Sequence, residues 1–445
     1  PKETEPKPTT QKPTAPKPTE PPKAPAPAET KPAETVPPET EATEPTEKIE
    51  ELTPPITAPA ETEPEETVPE TTEPAAPDYT ASEADVAALE KLYEGRVAFH
   101  GDLHTHTNSG GKSDGQIAIE DWANQLKGAG IDFTAIVDHA QTLHMYTDAW
   151  DDTAFITGAE NGQLVMSANT NFGSQKMHGN YLFPDVESYE KVLTAFPVIY
   201  NYDTQSRTFW SYVGPDGVFN AISRDQMIQI VEAVRANGGL FVFDHPVDPG
   251  YCPTSGELMD FWYADDTAIE VFYGAYGPAE NYELMTQQYD LWKNLLAAGK
   301  RVWASAGSDT HSYPNYNALS TVYAAERKAT SYFEHLRVGD FAPSPMGVRM
   351  VIGDTLMGGQ GSFEGQKVIF SIGDFHKSVL EKYKNFRVVL LDDSGEVFRQ
   401  DFTAEQTAYF AVEANKDAKF YRVEIYDADK DLLIGIGNPI WNTNN

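Results

Sequence analysis

The pattern of apolar and polar positions changes character along the chain. From about Ala81, stripes with helical spacing alternate with short, wholly apolar runs. Ile119, Trp122, Ala123, Leu126 and Ala129 recur at i, i+3, i+4 and i+7, which predicts an amphipathic helix closed by Gly130. The run "DFTAIVDHA" that follows predicts a buried strand ending at Asp138 and His139. The same unit returns as Met227, Ile230, Val231 and Val234, then "NGG", then "LFVFDHP" with Asp244 and His245. It returns again as Leu284, Leu291, Trp292, Leu295 and Leu296, then "AAGK", then "RVWASAGSDTH" with Asp309 and His311. Helices alternating with fully apolar strands predict parallel βα units, in which reactive residues collect at the carboxyl ends of the strands. Beyond about Thr330 the period switches to alternation in "KVIFSIGDF", "FRVVLLDDSGEVFRQDF", "TAYFAVEA" and "FYRVEIYDADKDLLIGIG". The turn signals "DDSG" and "DADKD" separate these runs and predict a C-terminal antiparallel β-domain without a titratable cluster of its own.

Composition removes the first part of the chain from any core. Residues 1 to 77 hold 21 of the 32 prolines and almost no aromatic side chains. Such a segment buries too little apolar surface to offset its ordering entropy and is expected to be a disordered, partly polyproline-like stalk suited to spanning a cell wall. The expected organisation is therefore a stalk over 1–80, a barrel over 81–330 and a β-sandwich-like domain over 331–445. The net charge of −35 argues against nucleic acid as a partner, because phosphate binding needs clustered Lys and Arg. No apolar run reaches membrane-spanning length. No leader is visible, and a chain that opens on Pro1 is compatible with one having been removed. The single Cys252 excludes an intrachain disulfide and a Cys-rich zinc module, and it reads as a small loop side chain.

The chemistry enters with "FHGDLHTHTNSGGKSDG", which places three of the ten histidines within seven residues. His104 and His106 follow the apolar "RVAF" run, and His139, Glu160, His245, Asp309 and His311 each follow another such run. His-x-His on a strand directs both rings to one side, because side chains alternate with period two. Imidazole and carboxylate without thiolate suit Zn, Mn or Fe.

"DLHTHT…SDG", "VDH", "GAE", "MHGN", "DHP" and "GSDTH", in that order from about Phe99 to His311, resemble the successive motifs of the polymerase and histidinol phosphatase (PHP) superfamily. The arrangement near "NLLAAGKRVWASAGSDTH" is most similar to the branch that includes carbamate hydrolases. The resemblance implies an α/β fold, a distorted (β/α)7 barrel of PHP type. It implies two or three divalent metal ions (Zn, Mn or Fe) on nine ligands: His104, His106, Asp114, His139, Glu160, His178, His245, Asp309 and His311. By that similarity His104, His106, Glu160 and Asp309 hold one ion. Glu160 bridges to a second on His178 and His245, and Asp114, His139 and His311 take a third.

Catalysis is then expected to use metal-activated hydroxide, with Asp309, Glu160, His245 and Lys112 as the residues at the reacting centre. Asp102, Asp138 and Asp244, each just before a ligand-type histidine, are expected to accept from imidazole N–H groups. His100 is expected to pack at a strand start, while His144, His335 and His376 read as solvated or surface residues. Lys112 would pair with an anionic substrate. The aromatic stretches "VIYNYDTQSRTFWSYV" and "DFWYADD" read as core or lid packing. The function expected is an exported, bacterial surface or secreted metal-dependent hydrolase of a small molecule, with phosphoesterase activity on a trinuclear site. Amide or carbamate hydrolysis is the alternative, and a non-catalytic surface binding protein the third reading.

Overall fold

The computed structural model describes residues 79–109, 113–139, 141–160, 164–166, 176–209, 221–222, 224–247, 265–274, 282–314 and 318–444. The chain divides into Pro1–Pro74 and Ala75–Asn445. The stalk expected over 1–80 lies, up to residue 78, outside the described residues, as do Lys112, Cys252, the end of the first aromatic stretch and most of the second.

The apolar runs form a mixed α/β layer around one nine-stranded sheet. Its strands are β1 (Val97–Thr105), β2 (Phe133–Ile136), β3 (Phe155–Glu160), β4 (Gly179–Phe183), β5 (Leu240–Phe243), β6 (Thr267–Tyr273), β7 (Val302–Gly307), β8 (Ser320–Ala324) and β9 (Phe341–Ala342). Their spatial order is β7-β6-β5-β4-β3-β2-β1-β8-β9. The first half of β1 pairs with β8. Its second half meets the chain leaving β7: the Asp309 amide donates to His104 O at 2.9 Å and the His106 amide to Thr310 O at 3.0 Å. The sheet therefore nearly closes into a barrel.

The helical stripes lie where their spacing places them. The helix Ile119–Ala129 buries Ile119, Trp122, Leu126 and Ala129 and ends at Gly130, whose φ of 79° is the left-handed conformation glycine permits without strain. Trp292, fully buried on the helix Tyr282–Ala297, donates from Nε1 to Val302 O at 2.8 Å and locks that helix to β7.

The sheet is not uniformly parallel, contrary to what the alternation of helices and apolar strands predicts. β1, β2 and β3 are parallel, and so are β5, β6 and β7, but β4 runs antiparallel to both β3 and β5. A parallel return requires a crossover long enough to recross the sheet, usually a helix. The described part of the β3–β4 connection holds only the short strands Leu164–Met166 and Lys176–Met177, which pair antiparallel. The inversion brings the start of β4 to the end of the barrel where its neighbours finish.

Past β9 the alternating runs form a four-stranded and a five-stranded sheet. Phe370, Phe386, Leu390, Phe398, Phe410, Val423 and Ile425 share the core there. All pairings are antiparallel except that of Gln360–Gly361 with Trp441–Asn442. Buried Asn438 fastens this layer to the barrel, accepting from the Ala304 amide at 2.8 Å and donating to Phe341 O at 2.9 Å. No helix among the described residues is long and apolar enough to cross a membrane.

His335 and His376 are buried rather than superficial, because each finds a tertiary partner. His335 Nδ1 lies 3.0 Å from Asp340 Oδ2, and the His376 ring meets that of His100 edge to face with centroids 5.4 Å apart. Burial, reinforced by His376, pulls the His100 imidazole down to about 3, against a smaller opposing contribution from the Asp374 backbone. The unfolded chain thus takes up a proton near pH 6.5 that the folded one refuses until about pH 3, so stability is lost as pH falls through that window. At about 1.4 kcal/mol per unit the ceiling is about 5 kcal/mol. His100 keeps part of its surface in water, and we expect about half of that. Urea unfolding of the metal-free protein at pH 7 and pH 4 should show this excess loss relative to His100→Gln. Parallel curves would reject the assignment.

Candidate metal centre

Strand ends supply the site. His104 and His106 stand two apart at the close of β1, so alternation turns both rings inward. Glu160 is the last residue of β3, His139 follows β2, His245 follows β5, and Asp309 and His311 follow β7. His178 precedes β4, and only the inversion of that strand allows a residue before it to join residues that come after the others. Asp114 arrives on the loop beyond β1, held by the Gln116 amide donating to His311 O at 2.6 Å. His245 and Asp309 adopt φ of 25° and 50°, a left-handed backbone that costs non-glycine residues on the order of 1–3 kcal/mol.

All nine ligand-type residues expected from the sequence come together. His104 Nε2 and His106 Nε2 are 3.2 Å apart. Glu160 Oε2 lies 3.5 and 3.3 Å from them, and Asp309 Oδ1 3.3 and 3.0 Å. Glu160 Oε1 turns the other way, against His178 Nδ1 and 3.8 Å from His245 Nε2. Towards solvent, Asp114 Oδ2 sits 3.5 Å from His139 Nε2 and 3.3 Å from His311 Nε2. Three groups result, in each of which the ligand atoms lie within 4.8 Å of one another: His104, His106, Glu160 and Asp309; Glu160, His178 and His245; and His106, Asp114, His139 and His311. The second is fully buried and the first is buried apart from half-buried Asp309, while the Asp114 side chain in the third is 57% exposed, so the third group forms the mouth.

This donor set asks for positive charge. Imidazole nitrogens and carboxylate oxygens direct lone pairs at common points, and no lysine or arginine among the described residues pairs with Glu160, Asp244, Glu270 or Asp309. Without a cation, protons take that role. Burial pushes the His106 imidazole down, but Asp309 and Glu160 more than reverse this and hold it at about 10. Burial also pulls the His104 imidazole down, but Asp309, Glu270 and Asp244 outweigh it and raise that group well above its ordinary value. Burial would raise Glu160 and Asp309, yet the surrounding imidazoles keep both carboxyls below their usual range. His106 Nδ1 and both Asp244 carboxylate oxygens are buried without a hydrogen-bond partner among the described residues. The residues fit divalent cations of the kind bound by nitrogen and oxygen.

The expected imidazole acceptors are placed differently. Asp102 Oδ1 accepts the His104 and Ser308 amides, both at 3.0 Å, and so stitches β1 to the end of β7 instead of touching a ring. Asp138 accepts from the Thr107 amide and hydroxyl, each at 2.6 Å, and lies 3.4 Å from His144 Nδ1. His144 is correspondingly buried beside Asp138 rather than sitting in a solvated loop. Asp244 Oδ1 comes only within 4.0 Å of His104 Nδ1. The acceptor on that nitrogen is Glu270 Oε1, at 2.8 Å. Glu270 lies outside the sequence motifs, and its one signal is a lone carboxylate in the apolar run "TAIEVFY", which is buried through Phe272. Tyr273, likewise outside the motifs, donates from its hydroxyl to Asp309 Oδ2 at 2.8 Å.

No family model matches the chain, and no curated protein matches it. Among solved structures, endonuclease Q complexed with a 27-mer duplex bearing an abasic lesion at the active site is similar at 12% identity, with a TM-score of 0.34. The overlap covers 54% of this chain and 57% of that one, so the chain spans little more than half of that structure's length, and likeness at this level carries no argument about function.

Proposed function

We propose that the chain is a metal-dependent hydrolase of the PHP type, acting first as a phosphoesterase. The observation that carries this reading is Glu160, whose two oxygens face separate clusters of imidazoles and so would bridge two cations. His104, His106, Glu160 and Asp309 would hold one cation, Glu160, His178 and His245 a second, and Asp114, His139 and His311 a third. Bound divalent cations lower the pKa of water and draw charge from a phosphoryl or carbonyl oxygen. Around them, Asp309 and Glu160 supply negative charge beside the imidazoles, and the Tyr273 hydroxyl donates to the second oxygen of Asp309. The exposed third group leaves one side open to substrate; Lys112, which lies outside the described residues, is proposed on its place in the sequence alone to pair with an anionic substrate.

A cluster of cations matches a phosphoryl group and its transition state, which favours phosphate esters. Amide or carbamate hydrolysis is the second reading, favoured by the lack of arginine or lysine pairing with the buried site carboxylates among the described residues. We extend the proposal to an exported, surface-attached enzyme with borders near residues 81 and 331; the Pro-, Thr- and Glu-rich start supports the stalk. The test is a panel of phosphate mono- and diesters beside aryl carbamates and amides, run with Zn, Mn and Fe(II) after elemental analysis of the purified protein. We expect bound metal and phosphate-ester turnover. Turnover of carbamates alone would transfer the assignment to the second reading, and a metal-free, inert protein would leave only a binding role.

A further inference from the structure

We propose that Glu270 is the positioning residue that ties two of the three cation groups to each other. This rests on the metal-dependent reading above. His104, Asp244 and Glu270 also bring potential ligand atoms within 4.8 Å of one another, which could be taken for a fourth cation group. The distances argue for a different role. Glu270 Oε1 lies 2.8 Å from His104 Nδ1, a hydrogen-bond length. An ionised carboxylate only accepts, so Nδ1 carries the hydrogen and the Nε2 lone pair is left facing His106, Glu160 and Asp309. The other oxygen, Oε2, accepts the backbone amide of His245 at 2.8 Å. That amide belongs to a residue held at φ 25°, a conformation the surroundings must enforce. One buried carboxylate therefore fixes the ring of a residue in the first group and the backbone of a residue in the second.

The packing leaves Glu270 no freedom to do otherwise. It lies on β6, fully buried, and a methyl at Gly307 on the neighbouring β7 would overlap its carboxylate and the His104 Cβ. Asp244, by contrast, makes no hydrogen bond to either ring. On the Nδ1 side of His104, charge is thus available from two carboxylates, but a hydrogen bond from one.

Partners of this kind typically set metal affinity by roughly 10–100-fold. Equilibrium titration of the metal-free protein with Co2+, followed by its visible absorption and by elemental analysis after dialysis, reads this without any turnover. In Glu270→Gln, one acceptor is lost, and we expect the two buried groups to bind Co2+ roughly 10–100-fold more weakly. The mouth group of Asp114, His139 and His311 should load as in the wild type, which a general loosening of the site would not allow. Glu270→Asp, too short to reach both partners, serves as a milder variant and should fall between. Unchanged Co2+ affinity and stoichiometry would overturn the proposal. So would equal weakening of all three groups together with a lower metal-free melting temperature, which marks a merely structural residue. An effect of Asp244→Asn as large as that of Glu270→Gln would assign the result to buried charge and overturn it too. A wild-type protein that binds no Co2+ would instead show that the reading of the site itself is wrong.

Discussion

Glu160→Gln is expected to strip the two buried groups of metal while leaving the fold intact. The substitution changes size hardly at all, so no cavity opens around a side chain that is almost fully buried. What changes is charge. Glu160 Oε2 lies 3.3–3.5 Å from the Nε2 atoms of His104, His106 and His139, and Oε1 faces His178 and His245. A unit charge about 4 Å from another is worth about 4 kcal/mol at an effective dielectric of about 20. If relaxation recovers half, the remaining 2 kcal/mol still weakens binding roughly 30-fold at each cation the carboxylate touches. Metal content after dialysis should therefore drop by more than one ion per chain, and hydrolytic rate should fall with it and recover partly at high metal concentration. Full stoichiometry in the variant would remove Glu160 from its bridging position and with it the main support for the function proposed.

The contrast between what the sequence disclosed and what it hid has a physical pattern. Residues whose role depends on local periodicity were legible. The stripes of the helices Ile119–Ala129, Arg224–Ala236 and Tyr282–Ala297 and the strand-end positions of His104, His106, His139, Glu160, His245, Asp309 and His311 all follow from periods of 3.6 and 2. Residues whose role depends on a distant partner were not. Asp102 looked like a partner for a neighbouring imidazole but accepts the amide of Ser308, which only closure of the barrel brings near. His376 reads as a surface residue until the C-terminal layer sets it against His100. Strand direction was equally hidden, since "GNYLF" has the same alternation whichever way it runs, and the inversion of β4 follows from what connects it to β3. Glu270 lies between these cases: its burial in an apolar strand was visible, its targets were not.

Removal of metal should lower stability, and by an amount that grows with pH. A ligand that binds only the folded chain stabilises it by about 4 kcal/mol at a thousandfold excess over its dissociation constant. For a chain of this size that corresponds to a melting-temperature difference on the order of 5 °C or more between metal-loaded and chelated protein. The pH dependence follows from the imidazoles. In the metal-free protein the carboxylates raise His106 to about 10, and His104 is raised as well. A group raised in the folded state stabilises it fully below its unfolded value near 6.5, and that stabilisation fades as pH climbs towards 10. For His104 and His106, then, the chelated protein loses stability across this range. Metal binding must displace the same protons, so each one displaced strengthens the apparent affinity about tenfold per pH unit over that interval. The two trends diverge, and the melting-temperature gap should be wider at pH 8.5 than at pH 6. With ordinary histidines, by contrast, the gap would level off just above pH 6.5. Differential scanning calorimetry with and without chelator at the two pH values decides the matter: a gap that is absent, or that narrows with rising pH, would contradict cation binding by His104 and His106.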